Sequence, residues 1–429
     1  MKAPIRSRFA AVIIGTAVVA VSGNALAQNR NFEVASAIPA ARVAPPALLK
    51  GADYEVVDPV RVDRFLGSFE LRSKFGMFRV SGVDMLALRV RELKAIEELK
   101  NVEGSSAFGD AVAKSAAAPV KLVGSLATDP GTTVENIATG AGTVLSRIGY
   151  SVKSGVQNAG DALTSSSSDK KEPKASADAA QPPALTDDPF GYNQARRAWA
   201  KKLDIDPYTS NPVLRPLLDD AARATFAGNF AVGLAVGAVA APLGYATDFE
   251  ATVKDSIWDL PPGDLAKSNE EKLKSMKVPA EVVRAFLRNR SFTPTLQTAF
   301  VAALDKLKGA SGRDSVVNAA STIAGEIPAR FLVRAVALLA LQQRDTPIAR
   351  VHMRGIVPIG KASDGTVVAA AAVDYLYWNE EAATFARAQE LAGAKRVLLI
   401  QGEASARASE EFSRAGWKVR AGLRQATGG

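Results

Sequence analysis

The chain has 429 residues, a formal net charge of +9 and no cysteine, and 47% of its residues are hydrophobic. A chain without cysteine cannot form disulfides, use a thiol nucleophile, bind an iron–sulfur cluster or a cysteine-ligated zinc ion, or carry a lipid on a cysteine. The basic residues are interspersed with acidic ones and do not form blocks, whereas a nucleic-acid partner favours a basic stripe with interleaved aromatic residues, so no nucleic-acid partner is expected. We expect the excess positive charge to belong to a solvated surface, and its most reasonable use is a weak attraction to anionic lipid headgroups or cell-wall polymers.

The first 27 residues have the three-part pattern of a secretory signal peptide. Three basic residues precede an apolar run at 9–21 that is too short to span a bilayer, and Ala25-Leu26-Ala27 fits a signal peptidase site. We therefore predict an exported chain that begins near Gln28. A periplasmic location is the first expectation and full secretion is the alternative.

Patterning along the chain predicts an α+β fold that is mostly helical. It has a small N-terminal β-hairpin with amphipathic helices, a middle domain of antiparallel helices, and a small C-terminal α/β unit in which a β-hairpin precedes a βαβ unit. The predicted segments are a signal peptide at 1–27, an irregular lead-in at 28–53, the hairpin and amphipathic helices at 54–163, a disordered linker at 164–190, the helical domain at 191–346 and the α/β domain at 347–429.

The N-terminal half contains one clear hairpin and one clear helix. Alternating apolar residues on either side of the turn at 73–76 predict two short strands. Apolar residues at three- and four-residue intervals from Val83 to Leu99 predict an amphipathic helix. Weaker amphipathic helices are predicted at 111–126 and 134–156, where they would lie on a membrane or partner surface, or pack loosely on the protein's own core.

The second half of the chain is predicted to be mostly helical. Ser268-x-x-Glu271 has the spacing of a capping box that opens a helix, and Thr293-Pro294 has an N-cap residue followed by proline at the first helical position. The other helices are predicted at 193–203, 279–290, 313–324 and 328–342, and the one that starts at Pro294 is expected to stop at Gly309.

The last eighty residues switch to a mixed pattern. Strands are predicted at 356–359 and 366–378 around an Asp364-Gly365 turn, and Asn379 is predicted to cap a helix that runs to about Leu391. A strand at 396–400, a helix at 405–415 and a strand at 417–420 follow with short connections. This strand–helix–strand order predicts a βαβ unit whose two strands are parallel.

The segment 224–247 is uncharged and long enough, at roughly 36 Å as a helix, to cross a bilayer. Its Ala and Gly content argues against a membrane span, because alanine gains little from leaving water and glycine weakens a helix. We expect a buried helix of the middle domain, with a membrane-inserted helix as the alternative.

The sequence lacks the motifs that are typical of most catalytic sites. His352 is the only histidine, no Gly-x-Ser-x-Gly turn is present, and one histidine without cysteine makes a zinc site implausible. The run Asp204-Ile-Asp206 starts like a calcium loop, but Tyr208 stands at the third acidic position and the required glycine is missing. Asp206-Pro207-Tyr208-Thr209 is therefore interpreted as a turn. No cofactor or metal is therefore predicted.

The remaining candidate site lies where the strand at 397–400 ends. Gln401-Gly402-Glu403 follows this strand, and ligands gather at the carboxyl ends of strands in open α/β sheets. Asp374 lies in an otherwise apolar strand, where an unpaired carboxylate is costly. If Asp374 and Glu403 converge, they can form an acid–base pair or bind a cation. They are the candidate catalytic residues; the alternative is two structural acids.

These observations lead us to expect an exported, non-catalytic envelope protein that serves as a binding or scaffold module. One version of this hypothesis places the protein peripherally at a membrane surface. Its partner would be an envelope protein or the membrane itself, and the amphipathic helices could also join copies into a homo-oligomer. The alternatives are a carboxylate-based hydrolase with its site in the C-terminal α/β unit, and a protein inserted in the membrane through 224–247.

Overall fold

The computed structural model describes residues 31–34, 37–103, 191–226, 248–393 and 395–423. About 50% of the structure is helical and about 20% is strand, which confirms a mixed fold that is mostly α. The predicted signal peptide, the helices at 111–126 and 134–156, the linker, and all but the first residues of the apolar segment lie outside the described residues.

The N-terminal part is a five-stranded antiparallel sheet, of which sequence patterning predicts only two strands. The predicted hairpin is confirmed as its longest pair, and the strand before the turn at 73–76 is the central one, with three shorter strands on its other side. These three have only two to four residues each, which is too few to predict a strand even though Val60–Asp63 alternates. The elements are β1 (Ala37–Ile38), α1 (Pro46–Leu49), β2 (Tyr54–Val56), β3 (Val60–Asp63), β4 (Leu66–Ser73) and β5 (Gly76–Ser81).

Three helices pack with this sheet around one core: α2 (Val83–Glu103), α3 (Tyr192–Lys202) and α4 (Leu214–Phe226). The predicted helices at 83–99 and 193–203 are confirmed, with small differences at their ends. Burial of large apolar side chains from both sheet and helices holds this core together. Its fully buried members include Phe69, Leu71, Leu86, Ile96, Trp199, Leu203 and Leu214.

Six further helices form a second core: α5 (Asp248–Asp259), α6 (Pro262–Ser275), α7 (Ala280–Leu287), α8 (Pro294–Asp305), α9 (Arg313–Thr322) and α10 (Glu326–Gln342). Phe286, Phe292 and Phe300 meet at its centre, with ring centroids of Phe286 and Phe300 5.1 Å apart. Among the helices that can be described, none is both long and apolar enough to cross a membrane.

Two predicted helix starts have opposite outcomes. Thr293 is confirmed as an N-cap, because its side-chain oxygen accepts a hydrogen bond from the Leu296 N–H at 3.2 Å. The capping box at Ser268 is wrong, because α6 begins at Pro262 and Ser268 lies in its interior. Proline has a fixed φ suited to a first helical turn, so Pro262 starts this helix earlier than the serine motif suggests.

The C-terminal part is a five-stranded mixed sheet in the order β12-β10-β8-β7-β6. Its predicted βαβ unit is confirmed, because β10 is parallel to both β8 and β12. Helix α10 packs on one face, and Trp378, Phe412 and Trp417 are buried on the other. The elements are β6 (Ile348–Arg354), β7 (Val357–Ala362), β8 (Val367–Ala371), β9 (Tyr375–Leu376), α11 (Glu380–Ala386), β10 (Arg396–Ile400), β11 (Glu403–Ala404), α12 (Ala406–Arg414) and β12 (Trp417–Arg420).

The single strand predicted at 366–378 is wrong, because it is broken between β8 and β9. The backbone N–H groups of Asp374 and Tyr375 both donate to the Phe65 carbonyl, at 3.0 and 3.1 Å. This contact with the N-terminal sheet diverts the strand. Patterning also misses β6, and it extends the helix that Asn379 caps beyond its actual end at Ala386.

Candidate functional site

The carboxylate of Asp374 lies at the junction of the N-terminal and C-terminal sheets. Its side chain is only 3% exposed and sits in the break between β8 and β9. The Gly67 N–H donates to Oδ2 at 2.9 Å, and the Val83 N–H donates to both carboxylate oxygens, at 3.2 and 3.1 Å. Hydrogen bonds from backbone amides stabilise a buried carboxylate.

Asp374 occupies the place of a helix cap for α2. The residue before this helix is Gly82, which has no side chain to accept from the first free N–H groups and has φ of +89°. Asp374 supplies the missing acceptor from the other end of the chain. A negative charge at a helix N-terminus is also favoured by the helix dipole.

A second carboxylate at this junction belongs to the first turn of α2 itself and contacts two distant elements. Asp84 accepts two hydrogen bonds from Arg334 of α10, from Nε at 3.1 Å and Nη2 at 3.3 Å. It also accepts one from Gln401 Nε2 at 2.7 Å, at the end of β10. The start of α2 is therefore bound to both the central helix and the C-terminal sheet, and sequence patterning does not identify Asp84 or Arg334 as partners.

The backbone at Gly402 approaches Asp374 very closely. The Gly402 N–H donates to the Val373 carbonyl at 2.9 Å, and a Cβ on Gly402 would lie 2.0 Å from the Asp374 carbonyl oxygen. The next residue, Glu403, donates its backbone N–H to that same Asp374 carbonyl at 3.0 Å. Only glycine fits at 402, and its close approach brings the backbones of the two candidate residues together, with Glu403 paired to Tyr375, the residue after Asp374.

The side chains of the two candidate residues have different surroundings. Asp374 is buried and its oxygens accept from main-chain N–H groups, whereas the Glu403 side chain is exposed to solvent. The arrangement binds backbone amides and does not present the Asp374 carboxylate to solvent. An acid–base role for this pair stays a prediction.

A third acid ties the N-terminus of the described chain to the C-terminal unit. Glu33 Oε2 accepts from the Trp378 N–H at 2.5 Å and from the Ser405 hydroxyl at 2.6 Å. The Glu33 N–H in turn donates to the Trp378 carbonyl at 2.7 Å. Ser405 is also the N-cap of α12, since its side chain accepts from the Ala408 N–H.

A buried polar network centred on Glu92 lies further along α2. Glu92 is fully buried and accepts hydrogen bonds from Arg89 at 2.7 Å, from Asn211 at 2.8 Å and from the Thr209 hydroxyl. Arg89 also donates to Ser210, whose hydroxyl donates to Glu326 at 3.1 Å. The predicted turn at 206–209 thus contributes to a network that its sequence does not reveal.

Glu326 carries the charge at the far end of this network. Arg330 donates to it at 2.8 Å. Burial opposes ionisation, but the positive charges of Arg330 and Arg89 and hydrogen bonds from Arg330 and Ser210 outweigh it, so the pKa of Glu326 is lowered.

His352 lies on the edge strand β6. Burial lowers its pKa first, and the nearby positive charges of Arg350 and Lys361 lower it further. In the portion of the chain that can be described, no cluster of three or more metal-ligating side chains is found. An open cleft of about 590 Å³ lies beside β6 and is lined by Arg354, Gly355, Glu380, Glu381, Thr384 and Phe385.

Comparison of the chain with protein family models, curated proteins and solved structures gives no significant match.

Proposed function

We propose that this protein is an exported, non-catalytic binding or scaffold module of the cell envelope, attached to an envelope protein or peripherally to a membrane. The signal-peptide pattern of the first 27 residues supports export. The observation that carries the non-catalytic part is the burial of Asp374. Of the two candidate catalytic carboxylates, it is the one committed to backbone N–H groups of the N-terminal sheet and α2.

The charged residues near this junction also support a framework role. Asp84 is bound by Arg334 and Gln401, and Glu33 is bound by the Trp378 N–H and Ser405. Each of these contacts joins parts of the chain that are far apart in sequence. A catalytic carboxylate needs access to its substrate, whereas a framework carboxylate needs only its hydrogen-bond donors.

Cell fractionation with mass determination of the N-terminus tests this proposal. We expect the chain in the periplasm, or in the membrane fraction and released by carbonate, with its N-terminus near Gln28. A chain found in the cytoplasm with residues 1–27 intact would contradict export. A membrane fraction that resists carbonate would instead favour insertion through 224–247.

A deletion tests whether residues 104–163 provide the attachment. Removing them should lower the fraction of protein bound to envelope membranes, because their weak amphipathic pattern is typical of surface-binding helices. Removing 165–183, which has no apolar stripe, is the control and should leave that fraction unchanged. Equal binding by both deletion variants would exclude this role for 104–163.

A further inference from the structure

Three cationic or titratable side chains lie together on the edge of the C-terminal sheet. Arg350 on β6 is directly opposite Lys361 on β7, and His352 lies two residues further along β6. Residues two apart on a strand share a face, so all three are on the same side of the sheet. Arg350 and Lys361 are exposed, and His352 is half-buried. We call these three residues the basic strip.

The strip is electrostatically unfavourable as it stands. Opposite residues of an antiparallel pair have Cβ atoms about 5 Å apart, and like charges placed there destabilise a sheet. A register shift between Ile348 and Arg350 bends β6 where the strip begins, and bulges of this kind re-aim side chains. The depressed pKa of His352 reflects the same two charges, after burial.

The described acidic residues near the basic strip do not form ion pairs with its cations. Glu390, on the turn after α11, forms an ion pair with Arg354, and Asp364 at the β7–β8 turn accepts a hydrogen bond from the Thr366 N–H at 2.9 Å. Ser311 forms a β-bridge with Arg350, and Asp314 of α9 follows it by three residues. The Asp314 side chain is exposed to solvent. Within the described ranges, neither Arg350 nor Lys361 forms an ion pair with any acid.

We propose that the basic strip is a docking surface for the phosphate groups of anionic lipid headgroups. This inference rests on the peripheral membrane form of the proposed function and assigns the residues that would make the contact. An anionic surface removes the repulsion between Arg350 and Lys361, and it favours the protonated form of His352, which lies next to this pair along β6. Long cationic side chains reach a headgroup layer without rearrangement of the strands.

The composition of the strip favours a bilayer over a protein partner. Protein interfaces have an apolar core with aromatic anchors. The large apolar side chains that are exposed in the described residues are Val34, Phe226, Leu260 and Ile327, and none of them lies on β6 or β7. Electrostatic attraction to headgroups needs cations alone.

Vesicle co-sedimentation of the full chain tests the docking surface. The vesicles contain phosphatidylcholine alone or phosphatidylcholine and phosphatidylglycerol in equal parts. The double variant R350E/K361E should bind the anionic vesicles at least about tenfold more weakly than the unchanged chain. The matched control K272E/R284E changes the net charge equally, at exposed positions on α6 and α7, and should bind within about twofold of the unchanged chain.

Equal weakening in the two double variants would overturn the proposal, because it would show attraction through bulk charge. No weakening in R350E/K361E would overturn it as well. Both outcomes leave export untouched, since fractionation tests that separately. Preference for phosphatidylglycerol that is lost only in R350E/K361E supports the strip.

The single histidine gives a second, independent readout. Binding of the unchanged chain to the anionic vesicles should strengthen from about pH 7.5 to about pH 5.5, as His352 gains a proton. In His352→Gln this increase in binding should be smaller, because the histidine charge is lost. It should not vanish, because the other titrating groups remain. An identical increase in both proteins would exclude His352 from binding by the basic strip.

A proton NMR titration of the free chain should show a rise in the His352 pKa in Lys361→Ala, and an unchanged value would contradict the close approach of the two groups.

Discussion

The carboxylate of Asp374 accepts hydrogen bonds from the backbone N–H of Val83, a residue 291 positions earlier in the chain. Val83 is the first residue of α2, and Gly82 before it has no side chain to serve as a cap. One buried carboxylate therefore satisfies a helix N-terminus and joins two sheets. This relationship gives a structural reason for an acid in an otherwise apolar stretch of sequence.

The same junction leaves no room for a side chain at position 402. Gly402→Ala would put a methyl group 2.0 Å from the Asp374 carbonyl oxygen, and the backbone would have to move. We expect a loss of at least about 2 kcal/mol in the free energy of unfolding, measured by urea denaturation. The control is Gly263→Ala in α6, where nothing lies within 4 Å of the new Cβ. It should change stability by less than about 1 kcal/mol, and an equal loss in both variants would contradict this account.

The Glu92 network predicts a large effect for one buried acid. Glu92→Ala leaves the Arg89 guanidinium buried and removes the acceptor of Asn211 and Thr209. Removing one partner of a buried pair costs about 3–5 kcal/mol, so the thermal midpoint should fall markedly. Glu70→Ala removes an exposed ion pair with Arg79 and should cost less than about 1 kcal/mol. Similar midpoints for the two variants would mean that the network contributes little.

Glu326 predicts an acid-sensitive component of stability. Its folded pKa is lowered from the ordinary value of 4.5, so ionised Glu326 stabilises the fold above that pH. This contribution is lost as pH falls below 4.5 and through the lower folded pKa. Glu326→Gln should therefore flatten the decline of unfolding free energy over that range. Glu281→Gln, at an exposed position, is the control, and a decline as steep in Glu326→Gln as in the control would contradict the assignment.

Local patterns predicted the elements that have strong local signals. The hairpin, the helix from Val83, the Thr293 cap and the βαβ unit all follow from alternation, periodicity or capping chemistry within a few residues. The failures have both tertiary and local causes. The strand at 366–378 is broken by hydrogen bonds to Phe65, and β2 and β3 have only three and four residues, which is too few to predict a strand from patterning.

The candidate site was only partly accessible to the same reasoning. A carboxylate in an apolar strand does indicate a special environment, and Asp374 has one. Its donors, Gly67 and Val83, lie hundreds of residues away, and nothing local connects them to it. Asp84 and Glu92 were missed for a related reason, because a charged residue on a helix usually faces solvent and both instead meet partners from distant elements.

The most direct test of this account is the unfolding free energy of two matched variants, Asp374→Asn and Glu403→Gln, measured by urea denaturation. Asparagine removes the charge and one acceptor from the cap of α2, so Asp374→Asn should lose about 2 kcal/mol. Glu403 is exposed, so Glu403→Gln should stay within about 0.5 kcal/mol of the unchanged chain. An Asp374→Asn variant as stable as the unchanged chain would contradict the structural role on which the non-catalytic proposal depends.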